Sequence, residues 1–114
     1  MAMTEKGQRW VPHGDVLPQP AGPGVTRRML AYTDGLMCVE SAFEQGAVGQ
    51  LHSHPHTQIT YVVKGVFSFT IGKETRIVRR GDTLLKENGV EHGCTCVEAG
   101  TLLDIFAPMR QDFI

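Results

Sequence analysis

Histidines supply the part of this sequence best suited to chemistry. His52, His54 and His56 fall within five residues, and His92 lies far downstream. On a β-strand, residues two apart point to one face, so the imidazoles of His52 and His54 could converge on one point. Gln58 could add an amide oxygen and His92 a third imidazole. Imidazole suits zinc, copper, iron or nickel, and a mixed nitrogen and oxygen set leaves room for water or substrate.

A single carboxylate in an apolar run near the C-terminus is the second chemical feature. In the segment TLLDIFAP, residues 101–108, Asp104 shares one strand face with Leu102 and Phe106. If those two line the interior, Asp104 points inside and could act as a general acid and base. The alternative is a carboxylate that satisfies a buried amide or arginine. Arg110 could hold a substrate carboxylate through two parallel hydrogen bonds, or could be a solvated charge.

Several other reactive side chains have two interpretations on sequence alone. His56 follows a proline that breaks the strand, so it either supports the ligand residues, belongs only to the polar surface, or touches ligand. Cys94 and Cys96 share parity with the downstream histidine and are expected inside, as small buried thiols or as a reactive thiol near a base. Arg27 and Arg28 point to opposite faces of an early strand, and one of them could enter the cavity.

Eight short strands must position these groups. Runs rich in Val, Ile, Thr, Phe and Tyr, each ended by Gly, Asp or Asn, recur from Val25 onward. They predict strands at 26–32, 36–43, 58–63, 66–71, 75–79, 83–85, 92–97 and 101–107. Turn signals include Lys64-Gly65. No window carries a helical apolar stripe, so the fold class is all-β, a sandwich or closed barrel and in particular a jelly roll.

The first 25 residues differ from the rest because proline and glycine crowd them. Such a stretch cannot continue a helix or a central strand. It predicts an extended N-terminal arm over residues 1–25, followed by one β-barrel domain over residues 26–114. Trp10, the only tryptophan, is a candidate to pin the arm, while residues 1–8 could equally be a frayed tail.

The composition describes one ordinary globular domain. Of 114 residues, 41% are hydrophobic and 20% charged, and 11 basic against 12 acidic residues give a formal charge of −1. We therefore expect no nucleic-acid partner. No run approaches the ~18 apolar residues of a membrane span, so no membrane partner is expected. The absence of an apolar leader and an odd cysteine count favour a reducing, cytoplasmic setting without disulfides.

Two spaced units place the histidines in a known pattern. One runs G-x5-H-x-H-x3-Q-x6-G from Gly46 to Gly65, and the other runs G-x5-E-x-G-x2-H-x3-C from Gly81 to Cys96. Together they resemble the two signature motifs of the cupin superfamily, which implies a small single-domain jelly-roll barrel with a metal in its mouth. The resemblance implies four metal ligands: His52, His54, Gln58 and His92.

Three positions depart from the cupin pattern. Gln58 replaces the usual Glu, Glu87 the usual Pro, and Cys96 the usual Asn. With a neutral amide in place of a carboxylate, the full charge of a divalent ion would stay uncompensated. Such an ion is a stronger Lewis acid, which suits polarising an oxygen better than stabilising a high-valent oxidant. We therefore expect chemistry without redox.

A narrower resemblance covers the chain from about Val25 to its C-terminus. The run HSHPHTQI at 52–59 and the tail LDIFAPMRQDF at 103–113 are similar to the KdgF family of pectin-degradation cupins, in which Gln58 is the normal residue. That family is associated with 4,5-unsaturated monouronates from pectin or alginate, whose rings it opens to linear 4-deoxy-5-keto uronates. The resemblance implies one divalent transition metal (Ni, Zn, Mn, Fe or Co) and a small uronate sugar as substrate.

The same resemblance assigns roles to three residues of the tail. Asp104 would shuttle a proton beside the metal, Phe106 would pack against the sugar or shape the pocket beside Asp104, and Arg110 would pair with the uronate carboxylate. Cupins are usually dimers, and the outward Leu103 and Ile105 could supply an apolar patch for a homodimer. The alternatives are another cupin enzyme, such as a dioxygenase or sugar epimerase, and a non-catalytic module that binds sugar or stores metal.

Overall fold

The computed structural model describes all residues 1–114 and confirms an all-β architecture. The strands are β1 (Gln19–Pro20), β2 (Val25–Thr33), β3 (Leu36–Phe43), β4 (Val48–His52), β5 (Thr57–Ile71), β6 (Glu74–Arg79), β7 (Thr83–Lys86) and β8 (His92–Ala107). Two 3-10 turns, η1 (His13–Asp15) and η2 (Gln111–Phe113), complete the elements. No helix is long and apolar enough to cross a membrane.

One antiparallel sheet contains all eight strands. Its order is β1-β2-β3-β8-β5-β6, and β4 pairs with β8 while β7 pairs with β5. Strand β8 therefore pairs with β3 and β4 at different points along its length, and with β5 throughout most of it. A strand shared in this way makes the sheet fold over on itself, which gives the expected jelly roll a closed interior.

The strand predictions were wrong for four strands. β5 is one strand of 15 residues and β8 one of 16, where two strands each were predicted. The sequence prediction also missed β4, which carries His52 at its end, and the short β1 inside the arm. The expected turn at Lys64-Gly65 is instead a register irregularity between β5 and β8.

Gly65 explains why that turn signal was misleading. Its φ is +88°, and a Cβ built there would lie 2.5 Å from the Cα of Gly100 on β8. Only glycine tolerates both the left-handed backbone and the close approach of a neighbouring chain. The two glycines let β5 and β8 bend together while both strands continue. Gly65 therefore produces a bend in the sheet where the sequence signalled a turn.

The inner face of the sheet is organised in rows of residues that are partners across neighbouring strands. The first row contains Lys86, Gln58, Phe106 and Met37. The second contains Leu84, Thr60, Asp104, Val39 and Met29. The third contains Val62, Leu102, Ser41 and Arg27. Polar and apolar residues thus share one interior, which is where the candidate site lies.

Apolar packing supports both ends of this interior. One cluster is built around Phe67, which is fully buried and meets Phe43 edge to face at 5.3 Å between ring centroids. A second cluster joins Met29, Met37 and Phe106. The outer face is different: Ile59 is 48% exposed, and Leu103 and Ile105 are partly exposed. The expected homodimer stays a prediction.

The arm lies against the barrel, but Trp10 does not hold it there. Trp10 is 81% exposed, and the residue that anchors this segment is instead Thr4. The Thr4 side chain is buried, and its hydroxyl donates to the backbone carbonyl of Met29 on β2. The end of the arm, near Pro23, forms part of the wall of the main cavity. The division at residue 25 stays a prediction.

Candidate metal centre and its pocket

Three of the predicted ligands are brought together by β4, β8 and the loop after β4. His52 ends β4 and is paired across the sheet with His92, the first residue of β8. One ring nitrogen from each of His52, His54 and His92 lies within 4.8 Å of the other two. His54 does not lie on the strand, so shared strand parity with His52 is not the reason that they converge. The chain turns after His52 and presents His54 from the loop.

Two of these imidazoles have the tautomer that a metal requires. The Nδ1 of His52 is 2.7 Å from the Gln50 carbonyl, and the Nδ1 of His92 is 3.1 Å from the Val90 carbonyl. A carbonyl oxygen only accepts, so each Nδ1 must carry the proton and each Nε2 must carry a lone pair. Metal-binding histidines usually have this arrangement, in which the second nitrogen donates to a fixed acceptor.

Gln58 completes the donor set from β5. Its Oε1 is 3.1 Å from the Nε2 of His54, and its amide nitrogen donates to Thr60 at 3.2 Å and to Asp104 at 2.7 Å. These two donations fix the amide so that its oxygen faces the histidines. The Nδ1 of His54 is buried without a protein partner. The Gln58 oxygen can only accept from the Nε2 of His54, so that proton must leave Nε2 when three imidazoles and one oriented oxygen bind a divalent transition metal.

Burial keeps two of the ligands neutral. Desolvation, assisted by the positive charge of Arg110, lowers the pKa of His54 to about 4. Desolvation also lowers the pKa of His92 to about 4, assisted by the positive charge of Lys86. Protons therefore compete weakly for these nitrogens above about pH 5, and the lone pairs stay available for a cation.

Asp104 lies beside this cluster, on the inner face as predicted. Its Oδ1 accepts hydrogen bonds from the Gln58 amide and from the Thr60 hydroxyl, and no protein group donates to its Oδ2. The carboxylate is thus fixed by one oxygen, and the other is free for a ligand in the cavity. A carboxylate held in this way can accept and return a proton.

Lys86 is a site residue that the sequence analysis missed. It is only 1% exposed, and its ammonium donates to the Thr60 hydroxyl. Because Lys86 and Gln58 only donate to that hydroxyl, its single proton must go to Asp104. Burial lowers the pKa of Lys86, and the nearby charge of Asp104 opposes that effect. Lys86 lies two residues after the buried Leu84, a spacing that would have placed it on the inner face, but the predicted strand ended one residue too early to include it.

Arg110 and Phe106 line the same pocket. Phe106 is 3% exposed, and its ring meets that of His54 at 5.7 Å between centroids. Arg110 is buried, and its Nε and Nη2 donate to Asp112 at 3.0 and 2.7 Å. The guanidinium of Arg110 also lies 4.3 Å from the centroid of Phe113 in η2. One edge of Arg110 is therefore already occupied by a carboxylate of the protein.

The remaining reactive side chains are placed around the centre. His56 is half-buried, and its Nε2 donates to the Met109 carbonyl at 3.1 Å, so it braces the C-terminal segment. Cys94 and Cys96 are buried and free, as expected for small interior thiols. Burial raises the pKa of Cys94 to about 11, which leaves it a poor nucleophile. Arg27 enters the cavity, whereas Arg28 lies 3.7 Å from Glu40.

The cavity in front of the histidines has the size and charge of a small-anion site. Its volume is about 360 Å³, within the range of ligand pockets. Its lining includes three cations and one carboxylate: Arg27, Lys86, Arg110 and Asp104. A jelly-roll barrel with three oriented histidines in such a pocket is typical of a class of proteins that bind a small molecule beside a metal site.

Comparison with known proteins identifies the family. Residues 39–106 match the model of the cupin domain family. The pectin degradation protein KdgF of Dickeya dadantii (strain 3937) is 39% identical over 95 residues, 82% of this chain and 86% of that protein. Two solved structures superpose closely. The RmlC-like cupin of Shewanella frigidimarina NCIMB 400 has a TM-score of 0.93 and 32% identity, over 97% of this chain and all of the other.

The second is KdgF from Halomonas sp., with a TM-score of 0.90 and 33% identity over 94% of this chain and 99% of the other. The chain therefore belongs to the cupin family and, within it, to the KdgF group. The resemblance inferred from the two motifs and the C-terminal tail is confirmed.

Proposed function

We propose that the protein opens the ring of 4,5-unsaturated monouronates, from pectin or alginate, and yields linear 4-deoxy-5-keto uronates. The observation that carries this proposal is the free oxygen of Asp104 beside the oriented histidines, in a pocket with excess positive charge. A 39% identical relative is named as a pectin degradation protein, which agrees with an acidic sugar as the substrate.

Four side chains would hold the metal: His52, His54, Gln58 and His92. A divalent ion bound there supplies a Lewis acid that stabilises negative charge on a sugar oxygen. The neutral ligand set leaves the whole charge of the ion available for that task.

Asp104 would move the proton of the reaction. Its Oδ2 takes the proton of the anomeric hydroxyl, and the bond between C1 and the ring oxygen breaks as C1 becomes an aldehyde. The electron pair of that bond stays on the former ring oxygen, which is then an enolate at C5. Asp104 returns the proton to C4, the C4–C5 double bond becomes single, and C5 becomes a ketone. Atoms and electrons balance, so the reaction is an isomerisation without a redox partner.

The neighbours of Asp104 prepare it for this role. Thr60 and Gln58 both donate to Oδ1, which aims Oδ2 at the cavity. Lys86 holds the Thr60 hydroxyl and supplies a buried positive charge next to the carboxylate. Phe106 forms an apolar wall beside Asp104, and Arg110 supplies a cation for the uronate carboxylate.

The proposal is tested with the purified protein and an unsaturated monouronate made by a lyase. The alkene absorbance should disappear faster than in buffer, and a chelator should abolish the difference. Asp104→Asn should lower kcat by about 10²- to 10⁴-fold, as for loss of a general acid and base. Glu98→Gln, at an exposed position on the same strand, is the matched control and should keep full activity. A wild-type rate equal to that in buffer refutes the proposal and leaves a sugar-binding or metal-binding module.

A further inference from the structure

Arg27 is a cation in the cavity that no part of the proposed mechanism uses. It lies on β2, in the third row of the inner face, where its partner on β3 is Ser41, which in turn pairs with Leu102 on β8. Asp104 lies in the next row. Arg27 is half-buried and lines the same cavity as His52 and His92.

The guanidinium of Arg27 is held in place but not neutralised. Its Cζ lies 3.8 Å from the centroid of the Phe113 ring, which is the distance of a stacked cation. No carboxylate lies within ion-pair distance of it, and no protein group accepts a hydrogen bond from it. By contrast, Arg28 on the opposite face lies near Glu40. A half-buried arginine with its donors free is a group ready for an anion.

Arg110 contacts the same phenylalanine ring. Its Cζ lies 4.3 Å from the centroid of Phe113, and Asp112 already occupies its Nε and Nη2 edge. Both guanidinium groups contact the same ring and therefore lie close together, and burial, followed by the positive charge of Arg110, lowers the pKa of Arg27. Asp112 is hydrogen-bonded only to Arg110, and Asp112 and Asp104 act on Arg27 only from beyond ion-pair distance, so the donors of Arg27 stay open to an anion.

We infer that Arg27, together with the free edge of Arg110, binds the carboxylate of an acidic monosaccharide, and that Arg27 determines the preference for acidic over neutral sugars. This inference deepens the proposed function and rests on it for the identity of the sugar. Arg27 binds the carboxylate and takes no part in proton transfer. Its loss should therefore weaken binding more than it slows turnover.

The geometry also assigns a task to the C-terminal turn. Phe113 in η2 contacts both guanidinium groups, and its ring meets that of Phe106 at 5.7 Å between centroids. The turn thus places two cations on the side of the cavity next to Phe106 and Asp104. A sugar carboxylate bound there leaves the rest of the ring facing Asp104 and the histidines.

The first test uses D-galacturonate, a saturated uronate that cannot react, and its methyl ester, on the metal-loaded protein. Calorimetry should show that wild type binds the acid at least about 10-fold more tightly than the ester. Arg27→Gln should weaken binding of the acid by about 10- to 100-fold, as expected for a hydrogen-bonded charge, and leave the ester unchanged. Arg28→Gln makes the same charge change on the outer face and should bind like wild type. Equal affinities in the two variants overturn the inference.

Kinetics with the unsaturated uronate supply the second test. Arg27→Gln should raise KM by about 10- to 100-fold and lower kcat less than about 5-fold, and Arg27→Lys should recover only part of the loss because a lysine lacks the planar fork. A KM within twofold of wild type overturns the inference while the isomerase proposal stands. If wild type has no turnover but galacturonate binding still depends on Arg27, the isomerase fails and the carboxylate site stands. Circular dichroism and bound metal verify that each variant is folded.

Discussion

Replacing Lys86 by methionine should separate stability from activity in this protein. The substitution keeps the length of a side chain that is only 1% exposed and removes its charge. Two effects on the free energy of unfolding then oppose each other. Burial lowers the pKa of Lys86 even though Asp104 is near, so the folded state tolerates the ammonium poorly and gains when it is removed. The folded state loses the attraction between Lys86 and Asp104.

The attraction can be worked out from the hydrogen bonds. Thr60 lies between Lys86 and Asp104, so two hydrogen bonds in series separate the charges. They are then about 5 Å apart, for which Coulomb's law gives roughly 3 kcal/mol at an effective dielectric constant of about 20. The effective cost of burying an ammonium is also several kcal/mol. We therefore expect Lys86→Met to change the free energy of unfolding by less than about 1 kcal/mol.

Activity should respond much more strongly. Without Lys86 the Thr60 hydroxyl loses its strongest donor, and its own bond to Asp104 is no longer polarised by a cation. Loss of one preorganised charged donor lowers kcat by about 10²-fold or more in other enzymes. We expect a drop of that size, with KM little changed because Lys86 is occupied with Thr60.

Urea unfolding followed by circular dichroism measures the stability, since Trp10 is exposed and a poor fluorescence probe. Lys73→Met, at an exposed hairpin position, is the control. Destabilisation by more than about 3 kcal/mol would mean that Lys86 is a structural ion-pair partner. A kcat within threefold of wild type would remove Lys86 from the mechanism.

Three further predictions concern the centre and the bend of the sheet. His52→Ala should lose nearly all bound metal in elemental analysis with an unchanged circular dichroism spectrum, while the exposed His13→Ala should keep its metal. Because burial raises its pKa to about 11, Cys94 should be alkylated at pH 8 about 100-fold more slowly than an ordinary free thiol, as measured by peptide mapping. Fast alkylation would instead support a reactive, catalytic role for this thiol. Gly65→Ala should destabilise the protein by about 3 kcal/mol in urea, whereas Gly35→Ala, which meets open space, should cost less than about 1 kcal/mol.

The strand content and the face of each strand could be predicted because alternation is a local property. Leu102, Asp104 and Phe106 share the inner face, as their spacing indicated. The ends of β3 were predicted correctly, but the false break within β5 was not avoided, because glycine is ambiguous. Gly65 signals a turn in sequence, yet it serves here as a bend that only the approach of Gly100 explains.

The candidate ligands were predictable because their signal is a spacing within the chain, but their orientation was not. The backbone carbonyls of Gln50 and Val90 decide which nitrogen of His52 and His92 carries the proton. No side-chain pattern in a sequence encodes a carbonyl, since every residue has one. Only the folded backbone shows that the Nε2 atoms are free to bind a metal.

The positions of Lys86 and Arg27 in the pocket could not be predicted either, because they depend on the register between strands. Alternation assigns a residue to a face, but the register between strands decides what it meets there. Lys86 is a partner of Gln58 across β5 and β7, and Arg27 lies in the row beside that of Asp104. A lysine and an arginine in strands are ordinarily surface residues, so composition favours the wrong interpretation for both. The register places both cations on the inner face with the candidate ligands, and the resulting excess of positive charge around one carboxylate is the reason that we propose an acidic ligand.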